Sequence, residues 1–175
     1  MYLFWEKGYE SVSLSDIMRE TQLKKGSLYA AFNDKRSMYL RALQHYEHLI
    51  IDGAVMQLTG EGAPEKRIRD FIMAPIEVVE KSKDRRGCFL CNASADQSAL
   101  DLQTSEMVRR GFKKLEKALN APIAQLSLND DPIKTRKTAQ ALLTVYSGLR
   151  IMVRSGLSTK ELRQSTQLIL KLTLG

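Results

Sequence analysis

Residues 13–32, SLSDIMRETQLKKGSLYAAF, predict two short helices joined by a tight turn. Ser13 can cap the first helix through its hydroxyl group, and Asp16 stands at the third helical position, where a capping box places its second partner. The first helix is expected to end near Thr21, and the second to cover about residues 25–31. Two helices this short cannot bury a core alone, which is typical of a helix-turn-helix motif.

The outward face of the second helix indicates contact with DNA. Short polar side chains and a glycine at Gly26 would let this helix enter the major groove deeply, while Lys25 and Ser27 reach base edges and Tyr29 bonds a phosphate. Lys35, at the start of the following helix, would add a cation beside free backbone N–H groups. The apolar wedge beneath the motif is predicted to consist of Leu14, Ile17, Leu23, Leu28 and Phe32.

The formal net charge of +7 does not by itself predict a nucleic-acid partner. Residues 1–53 hold seven Lys or Arg against seven Asp or Glu, so the N-terminal part is balanced. Within residues 19–41, however, six cations face only Glu20 and Asp34. This local surplus lies on the motif, and it is therefore the charge feature that favours DNA binding.

Helical periodicity dominates the rest of the chain and predicts an all-α fold of about nine helices. The helix before the motif is expected to end at Lys7 and to be closed by Gly8. The helices after the motif are expected to cover about residues 34–55, 65–81, 88–97, 101–126, 132–155 and 158–174. A kink is expected at Pro75. We expect residues 1–50 to form the helix-turn-helix domain and residues 51–175 to form a helical domain for ligand binding and dimerisation.

Three segments, LFWEKGYE at residues 3–10, SLSDI at 13–17 and KKGSLYAAFNDK at 24–35, resemble the TetR (tetracycline-repressor-like) family. The resemblance implies a homodimer with an N-terminal DNA-binding unit of three helices and a C-terminal ligand-binding and dimerisation domain. It also places Ser13 and Ser15 at the start of the helix that braces on the DNA backbone. The full predicted DNA-contacting set is Ser13, Ser15, Lys24, Lys25, Gly26, Ser27, Tyr29 and Lys35.

Two features depart from the family pattern. The turn of the motif usually contains a glycine where this chain has Gln22, which predicts a costlier or differently shaped turn. The first helix normally extends further before the position of Met1. We therefore expect a truncated first helix and a reduced affinity for DNA.

The C-terminal part resembles the family in layout and in residues 85–93, RRGCFLCNA. By this resemblance its middle helices would surround a pocket, and aromatic and methionine side chains there suit a hydrophobic or aromatic effector. Ordinary core packing is the alternative for each of these side chains. The candidate lining residues are Phe71, Ile72, Phe89, Asn92, Met107, Phe112, Tyr146 and Met152.

Two cysteines and two histidines raise the question of a metal or redox site. Cys88 and Cys91 are three residues apart on a predicted helix, as are His45 and His48 on another. The four could bind zinc, the cysteines alone could form a thiol switch, or the cysteines could simply pack in the core. We predict no metal and no cofactor. A cysteine content this low indicates a reducing, cytoplasmic location, and a membrane span is not expected because no apolar run approaches the length needed to cross a bilayer.

The last two helices each present an apolar stripe, with small residues that allow close approach. Two helices from each subunit would form a four-helix interface, and the resulting twofold dimer predicts a palindromic operator on double-stranded DNA. The predicted interface residues are Leu142, Tyr146, Leu149, Val153, Leu162, Ile169 and Leu172.

The leading hypothesis is a repressor that a small-molecule effector releases from its operator by moving the helix that carries the reading motif. The alternatives are an activator, a redox-responsive regulator that uses Cys88 and Cys91, or a ligand-binding protein with weakened DNA binding. An enzyme is not expected, because the sequence shows no nucleotide-binding loop, strong metal-ligand spacing or catalytic triad.

Overall fold

The computed structural model describes residues 1–96, 101–126 and 131–174, and within these ranges the chain is helical with no strand. This confirms the predicted all-α class. The helices are α1 (Tyr2–Lys7), α2 (Leu14–Thr21), α3 (Lys25–Ala31), α4 (Lys35–Tyr46), a π-helical stretch (Glu47–Ile51), α5 (Asp52–Thr59), α6 (Pro64–Ser82), α7 (Phe89–Ala95), α8 (Leu102–Ala124), α9 (Pro132–Arg154) and α10 (Thr159–Leu174).

The helix ends follow the local signals in the sequence. Gly8 closes α1 with φ 79° and ψ 175°, and its N–H donates to the Phe4 carbonyl at 2.9 Å. Pro64 and Pro132 open α6 and α9, where a missing N–H costs nothing. The helix predicted over residues 88–97 is shorter, Phe89–Ala95, and its expected end at Gln97 lies outside the described residues.

The helix predicted over residues 34–55 is longer and contains an irregularity that the sequence did not reveal. α4, the π-helical stretch and α5 follow one another without leaving helical backbone angles, since Glu47 and Ile51 both have right-handed values. Counted as one, they bring the described helices to nine. The boundary predicted at residue 50 falls inside the π-helical stretch, so a helix rather than a flexible linker joins the N-terminal head (α1–α4) to the body (α5–α10).

Glu47 fixes the π-helical stretch to α8. Its side chain is buried and accepts hydrogen bonds from Arg110 at 2.5 Å, while the Lys114 ammonium lies 2.7 Å from the other carboxylate oxygen. Burial alone raises the pKa of the Glu47 carboxyl, but Arg110 and Lys114 outweigh burial and hold that pKa below its ordinary value. The carboxylate is therefore charged at neutral pH and stabilises the contact with α8.

One continuous apolar core joins the head to the body. At its centre the Tyr46 ring meets Trp5 and Phe89 edge-on, with ring centroids 4.9 and 5.7 Å apart, and Tyr39 contacts Phe89 in the same way at 5.6 Å. These rings come from α1, α4 and α7. The head is thus packed onto the body through large aromatic surfaces rather than tethered by a loop. No helix in the described part of the chain is long and apolar enough to cross a membrane.

Candidate nucleic-acid interface

The start of α2 is built around a complete capping box. The Ser13 hydroxyl accepts the Asp16 N–H at 3.1 Å, and an Asp16 carboxylate oxygen accepts the Ser13 N–H at 3.0 Å. Hydrogen bonds from Ser13, followed by the Arg19 guanidinium at 2.5 Å, lower the pKa of Asp16 to about 2. Ser13 is therefore occupied in fixing the helix start, whereas Ser15, one position inside α2, is exposed.

The turn of the motif adopts the conformation for which a glycine is usually chosen. Gln22 has φ 57° and ψ 19°, a left-handed conformation that costs a non-glycine residue free energy. Its side-chain amide donates to the Arg19 carbonyl at 2.7 Å, which compensates part of that cost. The predicted costlier turn is therefore seen as a strained residue in an otherwise ordinary helix-turn-helix.

Leu23 does not belong to the apolar wedge in which the sequence analysis placed it. Its side chain is 45% exposed, because Leu23 follows the left-handed turn and points away from the packed side. Ile17 and Leu28 are buried, and Leu14 and Phe32 are partly buried against the core. The wedge thus consists of four residues instead of five.

Almost the whole surface of α3 faces solvent. Leu28, only 2% exposed, is its one buried residue. Lys25, Ser27 and Tyr29 are exposed, and a side chain added at Gly26 would meet no atom within 4 Å. A helix held by a single anchor and open on every other side can enter a major groove without displacing protein atoms.

Some of the cations in residues 19–41 form ion pairs within the protein, and others lie on the open surface. Arg19 pairs with Asp16, and Arg36 pairs with Asp101 of the body at 2.7 Å. Lys24 and Lys25 are exposed at the start of α3 and have no acidic partner within the described residues. The local surplus of charge is therefore concentrated at the N-terminal end of α3, and in helix-turn-helix proteins this end of the second helix is the one that contacts base edges.

Lys35 lies at a helix start that is already occupied by a carboxylate. Asp34 accepts the Ser37 N–H at 2.7 Å, and this hydrogen bond lowers the pKa of the Asp34 carboxyl. The Lys35 ammonium lies 4.4 Å from the centroid of the Tyr9 ring. A phosphate at this position would thus meet the Lys35 charge, but it would compete with Asp34 for the backbone N–H groups.

The candidate effector-pocket residues are not brought together into one cavity. Phe71 and Tyr146 stack on each other with ring centroids 4.3 Å apart, and they are buried, as are Ile72 and Phe89. Met152 is 44% exposed on the outer face of α9. Core packing, the alternative that the sequence left open, therefore describes the four buried side chains.

Two further candidates line grooves on the surface. Phe112 lies in a groove of about 600 Å³ between α7 and α8, here called the α7–α8 groove, lined by Ala93, Ser94, Ser105, Val108, Arg109, Phe112, Lys113 and Glu116. Asn92 lies in a second groove of about 450 Å³ between the end of α1 and α7. The Asn92 amide also donates to the carbonyl oxygens of Trp5 and Arg86, at 2.9 and 3.0 Å.

The predicted dimer stripe on α9 is turned inward. The chain's own core buries Leu142, Tyr146, Leu149 and Val153, and also Leu162 on α10, because these positions face α6 and the rest of the bundle. Ile169 and Leu172 are exposed as expected, at 37% and 77%. Ile133 is exposed at the start of α9, and the other exposed large apolar side chains of these helices and the loop between them are Ile151, Met152, Leu157, Leu168, Ile169 and Leu172.

Contacts between head and body are the functional feature that sequence reasoning missed. The Tyr9 N–H donates to Asp96 at 2.7 Å, and Arg154 donates to the Glu6 carbonyl at 2.8 Å. With the Arg36–Asp101 pair, these bonds hold both ends of the head. The partners are at least 65 residues apart in sequence, so no local signal could have connected them.

The cysteines and histidines do not converge. His45 and His48 are exposed on the helix that joins the head to the body, whereas Cys88 and Cys91 are buried. The zinc alternative needed all four side chains at one point, and the structure separates them. The cysteine pair alone remains as a candidate site.

Comparisons with known proteins agree with this geometry. Residues 1–42 match the family model described as bacterial regulatory proteins, tetR family. The chain is 24% identical over 176 residues to the HTH-type transcriptional repressor ComR of Escherichia coli K12, an alignment that covers 98% of this chain and 84% of ComR. It is 26% identical over 116 residues to YezE of Bacillus subtilis, an HTH-type transcriptional regulator, covering 66% of this chain and only 60% of YezE.

Solved structures share the fold over nearly the whole chain. A mutant of the TetR family transcriptional regulator CifR, complexed with double-stranded operator DNA, has a TM-score of 0.81 at 21% identity and covers 97% of this chain and 90% of its own. SCO4454, a TetR-family regulator from Streptomyces coelicolor, has a TM-score of 0.85 at 18% identity, covering 98% and 88%. Residues 1–42 therefore carry the N-terminal region of the tetR family of bacterial regulatory proteins, and the chain is a DNA-binding transcriptional regulator.

Proposed function

We propose that this chain is a homodimeric repressor that binds a palindromic operator and is released from it by a small-molecule effector. The observation that carries the DNA-binding part is α3, which Leu28 alone anchors and which presents every other side chain to solvent. The repressor names of ComR and BdcR support the direction of regulation. The proposal gives the chain a binding role in the cytoplasm and no catalytic one.

The roles of the head residues follow from their exposure. Lys25 and Ser27 would contact base edges in the major groove, while Tyr29 and Lys24 would bond phosphates. The Lys25 ammonium lies 5.9 Å from the centroid of the Tyr29 ring, so the two side chains occupy one patch. Ser13, which caps α2, would contribute by fixing the helix start, and Ser15 and Lys35 would add backbone contacts.

The experiment is a gel shift on the DNA upstream of the chain's own gene and of its neighbours. Wild-type protein is expected to shift one fragment specifically, and Lys25→Ala and Tyr29→Ala are expected to abolish the shift without changing the oligomeric state. Lys66→Ala is the matched control, because Lys66 is exposed on α6 and pairs only with Asp70. Absence of any sequence-specific shift from a folded dimer would reject the proposal.

The surface between copies would be the outer face of α9 and α10. Six large apolar side chains are exposed there and in the connecting loop, which is unusual for a surface that stays in water. Gly148 lies on the same side of α9, and a side chain added there would meet no atom within 4 Å of its own chain. This permits the close helix approach that a four-helix interface between two subunits requires.

Dimerisation is tested by sedimentation of charge-substituted variants. Leu168→Glu should convert the dimer to a monomer, because it places a carboxylate beside the exposed apolar side chains of Ile169 and Leu172. Met56→Glu is the control, since Met56 is similarly exposed on α5, at 69%, but lies outside this face. If both variants sediment like the wild type, the interface lies elsewhere.

The α7–α8 groove is the place we propose for the effector. Its apolar surface comes from Ala93, Val108 and Phe112, while Arg109 and Lys113 supply cations without an acidic partner in the described chain. This combination suits a compound with an apolar body and an anionic group. The fluorescence of 8-anilinonaphthalene-1-sulfonate, an apolar anion, should rise on binding. Phe112→Ala should weaken that binding, whereas the control Phe71→Ala, which changes a core residue outside the groove, should not weaken it.

A further inference from the structure

Arg150 is a buried cation with no carboxylate partner. Its guanidinium donates to the Tyr146 hydroxyl at 2.6 and 3.0 Å and to the Gly87 carbonyl at 3.3 Å. Among the residues that the structure describes, no Asp or Glu forms a hydrogen bond or ion pair with it. The nearby Asp84 carboxylate is affected by the Arg150 charge but is hydrogen-bonded by Arg86, so a further anion close to Arg150 would stabilise the buried guanidinium.

The sulfur of Cys88 is placed to be that anion. Cys88 is 1% exposed, and its sulfur accepts a hydrogen bond from the Tyr46 hydroxyl at 3.5 Å. Hydrogen bonding from Cys91, together with the Arg150 charge, lowers the pKa of the Cys88 thiol to about 6 although burial opposes this. The same contact and burial raise the pKa of Cys91. The contacts of the pair therefore favour the thiolate form of Cys88 and the protonated form of Cys91.

A surface groove reaches the pair at Cys91. Cys91 is 8% exposed and lines the 450 Å³ groove between the end of α1 and α7, together with Gly8, Asn92 and Arg154. Cys88 lies behind it. A small oxidant can therefore approach the pair, whereas a bulky reagent cannot reach Cys88 directly. Thiolates beside a second thiol in a Cys-x-x-Cys arrangement are the reactive form of cysteine.

We propose that Cys88 and Cys91 form a reversible disulfide on exposure to a hydroperoxide, and that this oxidation weakens operator binding. The inference rests on the proposed repressor function. In the first step the Cys88 thiolate attacks the peroxide oxygen, the O–O bond breaks, and an alcohol or water leaves. The Cys91 sulfur then attacks the Cys88 sulfenic acid, the S–O bond breaks, and the hydroxyl leaves with the Cys91 proton as water. The alkoxide or hydroxide released in the first step takes its proton from solvent, so that over the two steps the two sulfurs lose two electrons and the peroxide gains them.

Oxidation would be transmitted to the head through contacts that α7 already makes. It removes the negative charge beside Arg150 and the acceptor of the Tyr46 hydroxyl, and Tyr46 belongs to α4 in the head. Tyr46 also packs on Trp5, whose carbonyl accepts a hydrogen bond from Asn92, one residue after Cys91. A change at the sulfur pair thus acts directly on α1 and α4, which hold the reading motif.

The test compares reduced and hydrogen-peroxide-treated full-length protein. We expect two free thiols per chain before treatment and none after, a mass lower by two hydrogens, and a change in the fluorescence of Trp5, the single tryptophan. Operator affinity should fall about tenfold or more, within the usual range of coupling between two sites, and reducing agent should restore it. Cys91→Ser should bind operator like reduced wild type and lose the reversible response.

The outcomes separate this inference from the proposed function. Two thiols that survive peroxide, or a disulfide that changes neither Trp5 fluorescence nor affinity, would overturn the switch. Reduced protein that fails to bind any operator would overturn the repressor proposal. Thiol counts and Trp5 fluorescence would then still test whether Cys88 and Cys91 form the reversible disulfide. Arg150→Lys should keep the thiolate, as followed by its ultraviolet absorbance against pH, and Arg150→Met should raise the pH at which it forms.

Discussion

Replacing Gly8 by alanine should weaken the contact between the head and the body. Gly8 has φ 79° and ψ 175°, a region that is essentially restricted to glycine and costs other residues about 1–3 kcal/mol. A β-carbon there would also lie 2.6 Å from the Asp96 carboxylate oxygen that accepts the Tyr9 N–H. If Asp96 moves away, a hydrogen bond to a charged group is lost, worth about 1.5–3 kcal/mol.

The two effects together amount to about 3–5 kcal/mol, which for a chain of this size lowers Tm by roughly 10 °C. Thermal unfolding at a fixed protein concentration measures this, since a dimer's Tm depends on concentration. Asp96→Ala removes the hydrogen bond without the backbone strain. The double variant Gly8→Ala/Asp96→Ala shows how much of the loss in stability comes from the collision between the new β-carbon and the Asp96 carboxylate. Gly53→Ala is the control, because a β-carbon there meets no atom within 4 Å.

The expected order of Tm is Gly53→Ala highest, then wild type, then Asp96→Ala, then Gly8→Ala. Operator affinity should fall in the same variants that lose the Asp96 contact, since that contact positions α1. A Gly8→Ala protein as stable as the wild type would refute the reasoning, because it would mean that neither the left-handed backbone nor the Asp96 contact is important for folding.

Three further changes have distinct expected results. Glu47→Gln should destabilise the protein by about 1–2 kcal/mol at neutral pH, between the values for exposed and buried ion pairs. Because the folded pKa of Glu47 is lowered, this difference should vanish as pH falls below about 4.5 through the folded pKa, in urea titrations at several pH values. Gly26→Ala should raise the free energy of unfolding by about 0.5–1 kcal/mol yet weaken operator binding, which calorimetry and gel shift would separate. Gly111→Ala should lower Tm, because its β-carbon would lie 2.6 Å from a buried methyl of Leu90.

Local signals in the sequence were sufficient to predict the helix-turn-helix motif. The capping box of Ser13 and Asp16 and the bounds of α2 and α3 were all predicted, because each depends on residues within one turn. Exposure of Leu23 was not predicted, since an apolar residue in a turn carries no information about its direction. The DNA contacts themselves stay predictions.

Periodicity could not distinguish an inner from an outer apolar face. α9 carries apolar side chains on both sides, so Leu142 and Tyr146 were assigned to the dimer although they face the chain's own core. The same ambiguity affected the pocket, where Phe71 and Tyr146 fill space instead of lining it. Arg150, whose environment is the basis of the proposed redox site, gave no signal in the sequence, because Gly87 and Cys88 beside it are more than 60 residues away along the chain.

The π-helical stretch at Glu47–Ile51 determines how a change in the length of the joining helix could be tolerated. A π-helix closes its hydrogen bonds over one residue more than an α-helix, so it stores a single extra residue within a continuous helix. Deleting one residue there would restore α-helical pairing with little rotation of the head, because the wider turn of the π-helix already absorbs that residue, whereas the same deletion in regular α-helix would turn the head by about 100°. The π-helical stretch is therefore the part of the joining helix that could lose one residue while both recognition helices of a dimer keep their direction.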